Sequence, residues 1–170
     1  MKKLLIAALA LMMIVSYSDA FAQGKATLRL GGGVITDGTQ PGGGLGLDLN
    51  MPDKPISIGV TTEFYKKSGV TTLPVGVLAL LKKTNENGKV TLLLGAGSGL
   101  VYSKVEVTFL GTTVSASTTK ALITALGGIQ FNFSEKAGFY VKGQYYRAIT
   151  SGASNLVGIG GGIAIALGAE

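Results

Sequence analysis

Beyond residue 25, apolar and polar positions alternate with a period of two along most of the chain. That is the pattern of strands whose two faces meet different surroundings. From Ile56 to Tyr65, one face carries Ile56, Ile58, Val60, Thr62 and Phe64, and the other Ser57, Gly59, Thr61, Glu63 and Tyr65. A helix would scatter both sets around its circumference, whereas a strand separates them. Leu45, Leu47 and Leu49 alternate in the same way with Gly44, Gly46, Asp48 and Asn50. Phe139, Val141, Gly143 and Tyr145 alternate with Tyr140, Lys142, Gln144 and Tyr146. Near the end, Val157, Ile159, Ile163, Ile165 and Leu167 oppose Gly158, Gly160, Gly162, Ala164 and Ala166. The pattern predicts eight strands, at about 25–35, 42–51, 55–66, 71–82, 89–102, 119–133, 137–148 and 155–168. Turn signals separate them: Asp37-Gly38, Asn50 to Lys54 with Pro52, Lys67-Ser68-Gly69, Asn85 to Gly88, Ser134-Glu135-Lys136 and Ser151 to Ser154. The longest connection, about 103–118, contains Val105 to Leu110, which can extend the flanking hairpin.

Most of these segments run to ten residues or more, about double the usual globular strand and enough for a tilted strand to cross a bilayer. Which face is bulky decides between a soluble and a membrane barrel. The apolar face carries Leu, Ile, Val and Phe, while the opposite face is mostly Gly, Ala, Ser and Thr. Small side chains fit the narrow lumen of an eight-stranded barrel and are out of place on a water-facing surface. At 14% charged residues the chain has too few ions to cover a soluble globule. The expected fold is therefore all-β, an eight-stranded antiparallel up-and-down transmembrane β-barrel. An even strand count puts both ends on one side, the periplasm in such barrels. The connections near 38, 68, 110 and 152 then face outward.

The first 22 residues read as a cleavable signal peptide: Met1-Lys2-Lys3, the apolar run Leu4 to Val15, and Ala20-Phe21-Ala22 before a new terminus at Gln23. The apolar run is too short to span a bilayer. The expected division is 1–22 signal and 23–170 barrel. An exported chain of this kind meets periplasmic chaperones and the barrel-assembly machinery on its way to the outer-membrane lipids, and is expected to be monomeric.

Three stretches carry a family likeness: Leu73 to Lys83 (LPVGVLALLKK), Leu92 to Tyr102 (LLLGAGSGLVY) and Gly127 to Ala148 (GGIQFNFSEKAGFYVKGQYYRA). A Pro-containing strand, a Gly-alternating strand and a late hairpin with paired tyrosines follow one another in this order. In this the chain resembles the small outer-membrane β-barrel proteins of the OmpA/OmpX-like kind. The resemblance implies the barrel fold and an outer-membrane location, and no activity. The chain departs from that family in lacking Trp and a terminal aromatic residue.

Charge and chemistry narrow the function further. With no Cys and no His, disulfides, thiol nucleophiles, imidazole bases and Cys/His metal sites are excluded, and no cofactor is expected. The net charge of +6 comes from lysines placed singly or in pairs, not from a basic run with interleaved aromatics, so no nucleic-acid partner is expected. Gly31–Gly33, Gly42–Gly44 and Gly160–Gly162 lead into no helix and precede no Gly-Lys-Ser/Thr, which fits curved strands better than a phosphate loop. Arg29, Asp48, Glu63, Lys120, Lys142 and Gln144 fall on the small-residue face, hence inside the barrel. Buried charges must pair. Arg29 and Asp48 lie at similar depth on neighbouring strands, and Glu63 is within reach of Lys120 or Lys142. Two facing carboxylates for hydrolysis are missing, since Asp48 and Glu63 sit near opposite ends of adjacent strands. The expectation is a non-enzymatic integral outer-membrane protein with a structural or surface-interaction role. The alternatives are a narrow passive pore and a soluble periplasmic or secreted barrel that binds an apolar ligand.

Overall fold

The computed structural model describes residues 26–36, 39–51, 54–110, 112–150 and 155–167. The expected signal segment lies outside them, as do Asp37-Gly38, Pro52 and the turn at 151–154. Eight strands follow in order: β1 (Ala26–Ile35), β2 (Gln40–Asn50), β3 (Ile56–Lys67), β4 (Val70–Thr84), β5 (Val90–Phe109), β6 (Thr112–Asn132), β7 (Ala137–Ala148) and β8 (Asn155–Leu167). Each pairs antiparallel with its sequence neighbours, and β8 pairs with β1 from Ala26↔Leu167 to Ile35↔Gly158, closing the ring. Closure leaves the barrel wall without a free sheet edge. Turns with the required backbone join the strands: at Ser68-Gly69 both residues have positive φ, 48° and 79°, the geometry whose twist matches a two-residue hairpin.

One expected loop is instead sheet. Residues 103–109 belong to β5 and 112–118 to β6, which stay paired out to Phe109↔Thr112. The β-branched alternation Val105, Val107, Thr112 and Val114 suits strand geometry, and continued β5–β6 pairing satisfies the backbone groups on the facing edges of the two strands, leaving their outer edges to water. β4 reaches only to Val70, opposite Val105, and β7 only to Ala148, opposite Leu122. The distal part of the β5–β6 hairpin therefore projects beyond the ring.

The pleat sorts side chains as the alternation requires. Outward positions form an apolar belt in which Leu30, Ile58, Phe64, Val77, Leu94, Leu100, Ile123, Ile129, Val157 and Ile163 are all exposed. Phe131, Phe133 and Phe139 flank it at the end that holds the strand termini, where the rings of Phe133 and Phe139 lie 5.1 Å apart. Phe64, Tyr102 and Tyr145 flank it at the hairpin end.

The axis-facing side departs in part from the expectation of mostly small residues. β1, β2 and β8 do present glycines and alanines, but β4, β5 and β6 turn Leu78, Leu80, Leu93 and Leu126 inward as a buried cluster. A second apolar cluster of Ile35, Tyr65, Val101, Leu122 and Tyr146 closes the hairpin end of the lumen. The two facts are one arrangement, because glycine walls make room for large side chains reaching across. A Cβ at Gly59 would lie 2.7 Å from Leu80 Cδ1. Large and small residues interdigitate until a barrel of this width is filled.

Candidate functional site

The lumen encloses a polar region whose charges fall into two groups along the axis. Nearer the strand termini, β1 supplies Arg29, β2 supplies Asp48 and β4 supplies Lys82. Arg29 Nη2 donates to Asp48 Oδ1 at 2.6 Å, and Lys82 Nζ lies 2.8 Å from Asp48 Oδ2. Asp48 is fully buried. Lys82 also donates to Asn50 Oδ1, which accepts from Ser57 Oγ as well, while Asn50 Nδ2 donates to Thr27. Each carboxylate oxygen thus lies within ion-pair distance of a cation, although only Oδ1 is also hydrogen-bonded.

Further toward the hairpin end, Glu63 on β3 accepts from Lys142 on β7, from Tyr146 on β7 and from Tyr65 two residues along its own strand. Lys142 donates in turn to Gln144 Oε1 at 2.8 Å, and Gln144 Nε2 donates to Thr124 at 3.1 Å. Strand parity explains the selection. Glu63, Tyr65, Lys142, Gln144 and Tyr146 all occupy axis-facing positions, so one network spans β3 to β7 across the axis. Buried Glu63 therefore has three donors, none of them from solvent.

The structure brings together Arg29 with Asp48, and Glu63 with Lys142 and Gln144. It does not bring in Lys120. That residue has the axis-facing parity expected of it, yet it stands exposed beyond the last β6–β7 pair, above the rim. Parity decides which way a side chain points; height along the axis is a separate quantity that the strand offsets decide. Lys82 is the reverse case. In the run Leu80-Leu81-Lys82-Lys83 it reads as half of a solvated pair, but its parity matches Leu78 and Leu80. Alternation carried on through the apolar run was the signal that could have placed it inside.

Between the two charged groups lies a chamber of about 20 Å³, bordered by Arg29, Gly31, Gly33, Gly44, Gly46, Thr61 and Tyr140 and reaching Glu63 and Lys142. At the termini end a polar vestibule of about 510 Å³ opens among Thr27, Asn50, Thr91, Gln130 and Asn132. At the other end the projecting hairpin reverses the polarity of the wall below it. Its axis-side positions are Val105, Val107, Phe109, Val114 and Ala116, and its outer positions Lys104, Glu106, Thr108, Thr113, Ser115 and Ser117. Phe109 is 73% and Val114 68% exposed. Lys104 Nζ donates to Glu106 Oε1 at 2.6 Å, and this hydrogen bond holds the Glu106 carboxyl below its ordinary range.

No family model matches the sequence, and no curated protein is similar to it. Solved structures do share the fold. Neisserial surface protein A matches with a TM-score of 0.65 at 11% identity, over 83% of this chain and 95% of that one. The N-terminal β-barrel domain of Pseudomonas aeruginosa OprF matches with a TM-score of 0.54 at 15% identity, over 84% and 98%. The outer membrane enzyme PagL matches with a TM-score of 0.52 at 12% identity, over 82% and 98%. At such identities the likeness is one of architecture: a small closed barrel of eight up-and-down strands.

Proposed function

We propose that the chain is an integral bacterial outer-membrane β-barrel with a structural or surface-interaction role, exported by a signal segment at 1–22 and folded over 23–170. The observation that carries this reading is the belt of exposed Leu, Ile, Val and Phe running around a closed ring, with aromatic residues at both margins. A patch this large is untenable in water for a monomer, but it is the surface a hydrocarbon layer requires. Outer-membrane lipids are therefore its principal partner, and periplasmic chaperones and the assembly machinery would keep the belt covered on the way. Lys66, Lys104 and Arg147 stand at the hairpin end, where they suit the phosphate groups of a lipid leaflet. The surface role falls to the projecting β5–β6 hairpin. Its polar outer face suits water and its apolar axis-side face is open for contact.

A non-enzymatic role fits the site. The chain has no His or Cys, and its two lumen carboxylates are each neutralised by cations and separated from one another. Gel mobility of boiled and unboiled samples in mild detergent, together with carbonate extraction of membranes, tests the proposal. The folded barrel is expected to migrate differently until heated and to stay with the membrane fraction. An unchanged band and release by carbonate would favour the soluble ligand-binding barrel instead.

A further inference from the structure

The lumen charges do not balance. Among the described residues, the axis-facing ions within the ring are Arg29, Lys82 and Lys142 against Asp48 and Glu63, an excess of one positive charge. Glu63 is matched by Lys142, so the excess resides in the group where Asp48 lies between two cations. Arg29 is 3% exposed and engages Asp48 through Nη2, while its Nε and Nη1 have no protein acceptor. The nearest aromatic face, Tyr140, has its centroid 6.0 Å from Cζ, at the limit of a useful cation–π contact. Unpaired N–H groups on a buried guanidinium are costly, the more so where the wall is thin and backed by an apolar belt.

Arg29 lines the chamber between the two charged groups. Its volume of about 20 Å³ leaves room for an occupant of water or halide size, a water needing roughly 10–15 Å³. Glu63, which also reaches the chamber, has its oxygens taken by Lys142, Tyr65 and Tyr146, so it offers little to the open guanidinium. A water would accept from Arg29 but leave the excess charge in place; a monovalent anion would remove both costs. We propose that this chamber is an internal anion site, in which a halide-sized ion accepts from Arg29 Nε and Nη1 and neutralises the lumen. It is a binding site within the plug, separate from the hairpin surface and from any path through the barrel.

Gly46 offers a way to close the chamber. A Cβ there would lie 3.6 Å from Arg29 Nε, from Arg29 Nη2 and from Thr61 Cγ2, ordinary contact with no backbone clash. Gly46→Ala therefore narrows the space beside the guanidinium and leaves the ion pair with Asp48 intact. The test uses the mature chain refolded in detergent, crystallised and soaked in sodium bromide, with anomalous scattering recorded. A bromide peak within about 3.5 Å of Arg29 Nε and Nη1 is expected in the wild type and should be lost in Gly46→Ala. In solution, the wild type should unfold in urea several-fold more slowly in chloride than in gluconate at equal ionic strength, because gluconate is too large to enter. The two rates should coincide in Gly46→Ala. An ordered water without anomalous signal in the wild type, or equal wild-type rates in the two salts, overturns the proposal whether or not the variant folds.

Discussion

At the residue scale, the energetics of the lumen turn on pairing. Glu63 and Lys142 are both largely buried, at 7% and 12% side-chain exposure. The attraction between them mostly offsets the cost of taking two ions out of water, so removing one partner is far worse than removing both. Lys142→Met is expected to destabilise the barrel by about 3–5 kcal/mol. Glu63→Gln combined with Lys142→Met should recover most of that loss, because Gln still accepts from Tyr65 and Tyr146. Urea unfolding followed by tyrosine fluorescence measures both variants. Equal losses in the single and double variants would mean that the unpaired Glu63 charge is not the source of the destabilisation.

At the element scale, the β5–β6 hairpin is where the reading of the sequence and the fold part company. Its alternation is as regular as that of the wall, yet the apolar and polar faces exchange sides between Tyr102 and Val105. Below the rim, outward means lipid; above it, outward means water, and the polar residues follow the water. The Lys104–Glu106 pair lies on this outer face, partly exposed to solvent, and is worth little to overall stability. It does shift Glu106, whose lowered carboxyl should be visible by NMR as titration below the ordinary glutamate range. Lys104→Ala should return it to the ordinary range. Since the folded value is depressed, what the pair contributes is present above the ordinary glutamate range and lost as pH falls through the lowered value. An unshifted Glu106 in the wild type would show that the pair does not persist in solution.

At the scale of the whole molecule, the barrel is a sealed plug. Ile35, Tyr65, Val101, Leu122 and Tyr146 close the hairpin end, and Leu78, Leu80, Leu93 and Leu126 fill the lumen beside the Arg29–Asp48–Lys82 group. The vestibule at the termini end leads to that group and stops. Recordings in planar bilayers are therefore expected to show no steady conductance for the wild type at moderate voltage. Leu80→Ala with Leu93→Ala, which empties space without touching the ion pairs, should be the first place where brief openings appear. A steady wild-type conductance would restore the narrow-pore reading.

The sequence by itself determined the strand count, the two faces of each strand and the existence of a Glu63–Lys142 or Arg29–Asp48 kind of pairing. These depend on period-two alternation and on the rule that buried charges seek partners, both of which are local or nearly so. Only the tertiary structure decided that Lys120 stands above the rim, that Lys82 joins Asp48, that leucines share the axis with glycines and that the 103–118 connection is a paired hairpin. Each of these is a question of height and of what lies across the ring. Both are set by the register offset that accumulates strand by strand until β8 meets β1, a sum over the whole chain that no single segment carries.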